Sequence, residues 1–258
     1  MSKRPLVLTI LDEWGYRVKD LCSAITPVRI IFSVALPLAL AQMVSAQSVP
    51  ASPPPLPPAT ASSSSISHAQ LAEYLQAAGT LGGAKAATTN QLAESRKRIP
   101  AWFPPNVWAA FERKVTAIDM AEVYLPVYRK YLTAETLNGL ILVYQGPTGQ
   151  EFARVSTQRV IDAIQQGSVG HAADTNAANA MDANGESALL TKRIKELTPE
   201  QRAAYQKAAA TYQTVLKPLD DEQNAAYAQK VQDLWHETVK EHNAEILAAQ
   251  NAASHPHP

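Results

Sequence analysis

Four tyrosines are the residues of this chain whose type and spacing best suit a binding site. Tyr124, Tyr128 and Tyr131 follow one another at helical spacing, which places them on one face of a helix. Tyr144 would lie opposite them if two helices form a hairpin. An exposed set of this kind could line a groove for a peptide or a glycan, as in an adaptor. The alternative, which we favour, is that the rings fill core volume while the hydroxyls reach water or a carbonyl.

The histidines and acidic residues lack the spacing of a metal site. His236 and Glu237 begin like a zinc-protease helix, but Lys240 occupies the position that requires the second histidine. His242 lies about 240° round the helix from His236, so the two cannot share a ligand face. Several loop residues carry oxygen ligands in an order unlike that of an EF-hand: Asp174, Asn176, Asp182, Asn184 and Glu186. We therefore predict neither a metal nor a cofactor.

The N-terminal segment has the pattern of an export signal. Residues 30–41 are apolar and follow Arg29, and small residues at Val44 and Ala46 fit a signal-peptidase site. This apolar run is shorter than the roughly 20 residues of a spanning helix. Cleavage would leave Gln47 as the first residue and no membrane span. The chain would then be periplasmic or secreted.

The start of the chain carries a second pattern. Residues 4–17, which contain Asp12 in a Leu-Asp-Glu-Trp-Gly run, resemble the opening strand of cofactor-independent phosphoglycerate mutase. In that family the aspartate binds a catalytic metal, but Glu13 stands here where the family has glycine. The resemblance ends by about residue 17, and one carboxylate cannot hold a two-metal site. We interpret it as a fused fragment or a misplaced start, with Val18 or Val28 as alternative starts.

The chain has equal numbers of basic and acidic residues, and its composition predicts a disordered linker followed by one helical domain. The chain has 23 basic and 23 acidic residues, and removing the five basic and three acidic residues of the leader leaves 18 and 20. This balance gives no electrostatic footprint for nucleic acid. The only cysteine, Cys22, lies in the leader. The predicted segments are a signal peptide (1–46), a Pro/Ser-rich disordered linker (47–67), a helical domain (68–250) with a polar loop (167–187) before its C-terminal helices (188–250), and a disordered tail (251–258).

The pattern of apolar residues is helical throughout the domain, which predicts an all-α bundle of roughly six to eight helices with a kinked helical hairpin at its centre. Ser67 is expected to cap a first helix that ends at Gly79, Gly82 and Gly83. A second helix should cover about 86–98. A third should start near residue 106 and kink near 122–126 because of Pro126.

The second half of the domain has clearer start and stop signals. Thr133 is expected to cap a helix whose buried face carries Leu137, Leu140, Ile141 and Tyr144. Gly146 suits a left-handed helix end, and Pro147 suits the first turn of the next helix. Thr198 and Gln201 form a predicted capping box for a helix that Pro218 should stop near residue 217. Asp220 is then expected to cap the last helix.

The run from Tyr128 to Gly149 resembles a bacterial family known as domain of unknown function 2059, over about residues 105–166. The matching positions are Tyr128, Tyr131, Leu132, Thr133, Glu135, Leu137, Tyr144, Pro147 and Gly149. Val143 and Gly146 stand where that family usually has phenylalanine and serine. The family carries no established catalytic residues, so the resemblance implies a fold and a compartment without a reaction.

These observations favour a non-enzymatic structural or partner-binding role in the cell envelope. One alternative is an enzyme of unrecognised type, such as a hydrolase, that uses Glu135, His171 or His236 in a pocket assembled by the fold. The other alternative is the adaptor with a tyrosine-lined groove. Burial of Tyr128 and Tyr144 would argue against that adaptor.

Overall fold

The computed structural model describes residues 65–165 and 185–254, and these form nine α-helices and a 3-10 turn (Leu142–Tyr144) with no strand among them. The helices are α1 (His68–Ala77), α2 (Thr80–Arg96), α3 (Pro105–Thr116), α4 (Met120–Tyr131), α5 (Ala134–Ile141), α6 (Gly146–Gln165), α7 (Glu186–Glu196), α8 (Pro199–Glu241) and α9 (Asn243–Ser254). The all-α class is confirmed, with more helices than the six to eight expected. The signal peptide, most of the linker, His171 and most of the polar loop lie outside the described residues.

Helix α8 is the element against which the central helices of the bundle pack. It is 43 residues long and lies against α3, α4 and α5. Helix α1 packs on α2, α4 and α5, while α6 packs on α2 and α7. One continuous apolar core runs from Ile66 to Ile246, and a small satellite between α2 and α6 contains Ala87 and Ile164.

The folded domain begins slightly before the predicted end of the linker. Ser67 forms the expected capping box with Gln70. Ile66, which was assigned to the linker, is only 1% exposed. The side chain of Arg129 donates a hydrogen bond from Nε to the Ile66 carbonyl at 2.8 Å. This bond fixes the incoming chain against α4.

Three glycines were expected to end the first helix, but only one of them does. Gly79 does so, with a φ of +71°, and α2 already begins at Thr80. Gly82 lies inside α2, where an added Cβ would sit 3.1 Å from Cγ2 of Thr157 on α6. Gly83 is similarly close to α6. These two glycines allow α2 and α6 to approach each other closely.

The third helix expected from about residue 106 is divided into two helices, and the division lies before residues 122–126. Helix α3 ends at Thr116, and Asp119 caps α4 by accepting hydrogen bonds from the N–H groups of Ala121 (2.9 Å) and Glu122 (3.3 Å). Pro126 lies inside α4. The expectation of one continuous helix was wrong because the Asp119 carboxylate satisfies two free donors and starts a new helix there, whereas the kink expected near residues 122–126 stays a prediction.

Helix α8 continues through Pro218, so the predicted stop near residue 217 and the Asp220 cap were both wrong. The start was predicted correctly, since Thr198 and Gln201 form a capping box. The missing hydrogen bond at Pro218 costs roughly 3 kcal/mol in a regular helix. Packing on both sides of Pro218 offsets it, and Leu219 is fully buried. At the other end, α9 extends to Ser254, past the predicted domain end at residue 250.

Candidate functional site

The predicted motif of residues 133–149 folds as a helix, a 3-10 turn and the start of a second helix. Thr133 caps α5 by accepting a hydrogen bond from the N–H of Thr136 at 3.1 Å, as predicted. The expected buried face is confirmed for Leu137, Leu140, Ile141 and Tyr144. This part of the motif is therefore occupied by capping and core packing.

The two glycines of the motif serve different purposes. Gly146 has a φ of +71°, which confirms the left-handed conformation expected from the sequence. Gly149 allows α6 to approach the 3-10 turn closely, because an added Cβ would lie 2.5 Å from the Val143 carbonyl oxygen and 2.5 Å from the Tyr144 carbonyl carbon. Both contacts are with backbone atoms, which cannot rotate away as a side chain can. The first turn of α6 thus lies directly on the 3-10 turn.

Helix α7 holds this turn in place, a contact that the sequence did not indicate. Arg193 donates to the Leu142 carbonyl from Nη2 at 2.8 Å and from Nε at 3.2 Å. The hydroxyl of Thr148 donates to Glu196 at 2.8 Å. The Leu142 carbonyl and the Thr148 hydroxyl are therefore bonded to α7.

Replacing Gly146 by valine should destabilise the domain, as the motif predicts. The nearest atom to an added Cβ is Nη1 of Arg193 at 3.7 Å, an ordinary contact, so the cost comes from the backbone. A left-handed L-residue costs roughly 1–2 kcal/mol, more for a β-branched one. Gly146→Asn should cost less, since asparagine tolerates this conformation. Equal melting temperatures for both variants and the native protein would argue against this assignment.

The structure supports the favoured interpretation of the tyrosines as core residues over the alternative of an exposed groove. Tyr124, Tyr128 and Tyr144 are between 1% and 3% exposed, so they lie in the core. Tyr131 is partly exposed, and its hydroxyl donates to Glu222 on α8 at 2.5 Å, beside an ion pair between Lys130 and Glu222. The helical spacing was interpreted correctly as one face, but that face packs against α8. The peptide- or glycan-binding adaptor therefore loses its exposed surface.

The buried tyrosines belong to a larger interior group that sequence reasoning missed. Tyr74 of α1 lies at the centre, with its ring centroid 6.2 Å from those of Tyr128 and Tyr144 in edge-on geometry. Tyr205 and Tyr212 of α8 are fully buried beside them. The seven-residue spacing of Tyr205 and Tyr212, continued by Leu219, was the sequence pattern that could have indicated this buried group. We call Tyr74, Tyr128, Tyr144, Tyr205 and Tyr212, with Asp220 and Gln223, the tyrosine cluster.

Polar atoms of the tyrosine cluster are incompletely bonded. Among the described residues, hydrogen-bond partners are lacking for the buried hydroxyls of Tyr144 and Tyr205, one carboxyl oxygen of Asp220, and both amide atoms of Gln223. Buried polar groups normally have a partner, so a concentration of exceptions in one place is a feature to explain. It makes this interior region the most unusual chemical environment of the described fold.

Burial changes the acid–base behaviour of the cluster. It raises the pKa of the Tyr74, Tyr128, Tyr144, Tyr205 and Tyr212 hydroxyls above their ordinary value near 10. Burial, with a smaller contribution from the charge of Asp221, raises the pKa of the Asp220 carboxyl to about 7. The tyrosines therefore stay neutral, while Asp220 can change its charge near neutral pH.

Glu135 and His236, two of the residues of the hydrolase alternative, lie far apart. Glu135 is exposed and forms an ion pair with Lys207 of α8 at 2.9 Å. His236 is exposed almost thirty residues further along the same helix, which is roughly 40 Å at 1.5 Å per residue. His171 lies outside the described residues. Within residues 65–165 and 185–254, no group of three or more His, Cys, Asp or Glu side chains could hold a metal ion.

Comparisons with protein-family models, curated proteins and solved structures found no match to this chain. The resemblance of residues 105–166 to domain of unknown function 2059 therefore stays a prediction that rests on the motif itself. Across the described helices, none is both long and apolar enough to cross a membrane.

Proposed function

We propose that this chain is an exported protein, periplasmic or secreted, whose helical domain has a non-enzymatic structural or partner-binding role in the cell envelope. The observation that carries the proposal is that the best candidate site residues are used by the fold. Three of the four predicted tyrosines are buried, and the fourth is bonded to Glu222. Function is then assigned to the exterior of the domain.

Ionic contacts between helices support a role that requires a fixed shape. Lys114 of α3 contacts Glu237 at 2.9 Å and Glu241 at 2.7 Å, both near the end of α8. Arg202 at the start of α8 donates to three carbonyl groups at the end of α7. These contacts connect the long helix to its neighbours at both ends, as expected of a rigid scaffold.

The export part of the proposal rests on the leader and is tested separately. Mass spectrometry of the protein from fractionated cells should find a mature chain that begins at Gln47 in the periplasmic or secreted fraction. A chain that retains residues 1–46 in the cytoplasmic fraction would contradict export.

The partner-binding part is tested by photocrosslinking in living cells. A photoreactive residue at exposed Glu135 or His236 should give a discrete crosslinked product with an envelope component, and the same residue at exposed Asp233, about one turn before His236, tests the adjoining surface of α8. A probe at buried Tyr144 serves as the control and should give no product. The absence of any product from all exposed positions would contradict partner binding.

A further inference from the structure

Asp220 lies at the point where α8 has the weakest backbone support. Pro218, two residues earlier, has no N–H to donate to the carbonyl of Thr214, so one hydrogen bond of the helix is missing. The helix continues because its core face is packed on both sides of the proline. Contacts made by residues near 218 therefore decide whether α8 stays one rigid element.

Asp220 contributes an unusual group to that core face. One of its carboxyl oxygens is buried and lacks a hydrogen-bond partner among the described residues. Beside the larger effect of burial, the charge of Asp220 raises the pKa of the hydroxyls of Tyr74 on α1, Tyr128 on α4 and Tyr212 on its own helix. Lys217, three residues before Asp220, donates at 2.6 Å to the neighbouring Asp221. Asp220 thus lies near neutral hydroxyls and has no ion-pair partner in the part of the chain that the structure describes.

Protonation of Asp220 would change what this group can bond. An ionised carboxylate only accepts hydrogen bonds, whereas a neutral carboxyl also donates one. The amide oxygen of Gln223, one turn further along α8, is an acceptor that lacks a hydrogen-bond partner among the described residues, although the Gln223 side chain also interacts with the Tyr128 hydroxyl. The neutral form also removes the cost of burying an unpaired charge.

We propose that Asp220 acts as a proton-dependent brace of the bundle, which holds α8 rigid across Pro218 when neutral and loosens it there when ionised. This inference concerns the fold and does not depend on the proposed function. It accounts for the position of a half-buried aspartate two residues after the proline inside α8.

The pH range of this brace follows from the direction of the shift. Burial and Asp221 raise the pKa of folded Asp220 to about 7, above the value of about 3.9 expected in the unfolded chain. Between these values the folded state binds a proton that the unfolded state has lost. The contribution of Asp220 to the free energy of unfolding is therefore full below about pH 4, falls as the pH rises from there to 7, and no longer changes above pH 7.

The test compares the native protein with Asp220→Asn, which keeps the neutral form at every pH. Denaturant unfolding is measured from pH 4.5 to 8.5, with Asp233→Asn as the control because Asp233 is exposed on the same helix. Relative to Asp220→Asn, the native unfolding constant should rise roughly tenfold per pH unit until pH approaches 7. Asp233→Asn should follow the native protein.

Hydrogen exchange tests whether the effect is local. Amides of residues 215–225 should exchange faster at pH 8 than at pH 5.5 in the native protein, after correction for intrinsic rates, and equally at both in Asp220→Asn. Parallel stability curves for the native protein and Asp220→Asn would overturn the proposal. If Asp220→Asn does not fold, carbon NMR titration of the native carboxyl decides, since a midpoint near 7 supports the brace and one near 4 overturns it.

Discussion

Replacing Tyr144 by alanine should lower the free energy of unfolding by about 3–5 kcal/mol, the range for removing a buried aromatic ring. Tyr144 is 3% exposed, its ring stacks on Phe152 at 5.9 Å between centroids, and it meets Tyr74 edge-on. Its removal would leave a cavity between the 3-10 turn, α1 and α6. Denaturant unfolding of the purified domain measures the loss directly.

Tyr144→Phe is the matched control for that experiment. The Tyr144 hydroxyl is buried and has no hydrogen-bond partner among the described residues, so removing it should leave stability unchanged or raise it. Together the two variants separate the contribution of the Tyr144 ring to stability from that of its hydroxyl. A loss with Tyr144→Phe as large as with Tyr144→Ala would show that the hydroxyl is bonded and that the interior differs from the one described.

Replacing Arg159 by alanine should also cost about 3–5 kcal/mol, because it leaves a buried carboxylate without its partner. Nε of Arg159 on α6 lies 2.8 Å from Oε1 of Glu186 at the start of α7. The Glu186 side chain is 1% exposed and that of Arg159 is 19% exposed. This ion pair joins the two helices that flank residues 166–184.

A neighbouring pair provides the control for Arg159→Ala. Arg154 on the same helix contacts Glu151 at 2.7 Å, but its side chain is 66% exposed. Arg154→Ala should therefore change stability by about 1 kcal/mol or less. The double variant Arg159→Met with Glu186→Leu should recover much of the loss, since a buried pair is often replaceable by apolar residues. Equal small losses in both single variants would contradict burial of the Arg159 pair.

Most features that depend on a few neighbouring residues were predicted well from the sequence, and the Asp119 cap is the exception. The caps at Ser67, Thr133 and Thr198 and the left-handed Gly146 are all confirmed. Each of these depends on bonds or dihedral angles within about three residues. The same local logic gave the buried face of α5.

Features that depend on a distant helix were missed. Gly82 and Gly83 resembled a helix end, and only the presence of α6 against them explains why they lie inside α2. Pro218 has the local signal of a stop, but core packing on both sides overrides it. In each case the deciding partner lies far away in sequence, so a local pattern could not identify it.

The candidate site shows the same division. The sequence placed Tyr124 and Tyr128 on one helix face, which is correct, but it could not tell whether that face meets solvent or α8. Apart from Tyr144 in the 3-10 turn, the remaining members of the tyrosine cluster come from α1 and α8, at least fifty residues away on either side. Only the seven-residue repeat of Tyr205, Tyr212 and Leu219 indicated a second buried face.

The central claim is that the tyrosines form the core of the fold and do not form an exposed binding surface. Spectrophotometric titration of the phenol groups tests it most directly. Burial raises the pKa of seven tyrosines above the ordinary value near 10: Tyr74, Tyr124, Tyr128, Tyr144, Tyr205, Tyr212 and Tyr227.

In the folded protein, these phenols should resist ionisation through pH 10 and then ionise together, in one step that coincides with loss of helical circular dichroism. The same chain in strong denaturant should titrate at the ordinary value. Reversible ionisation of most tyrosines near pH 10, with the helices intact, would contradict the account.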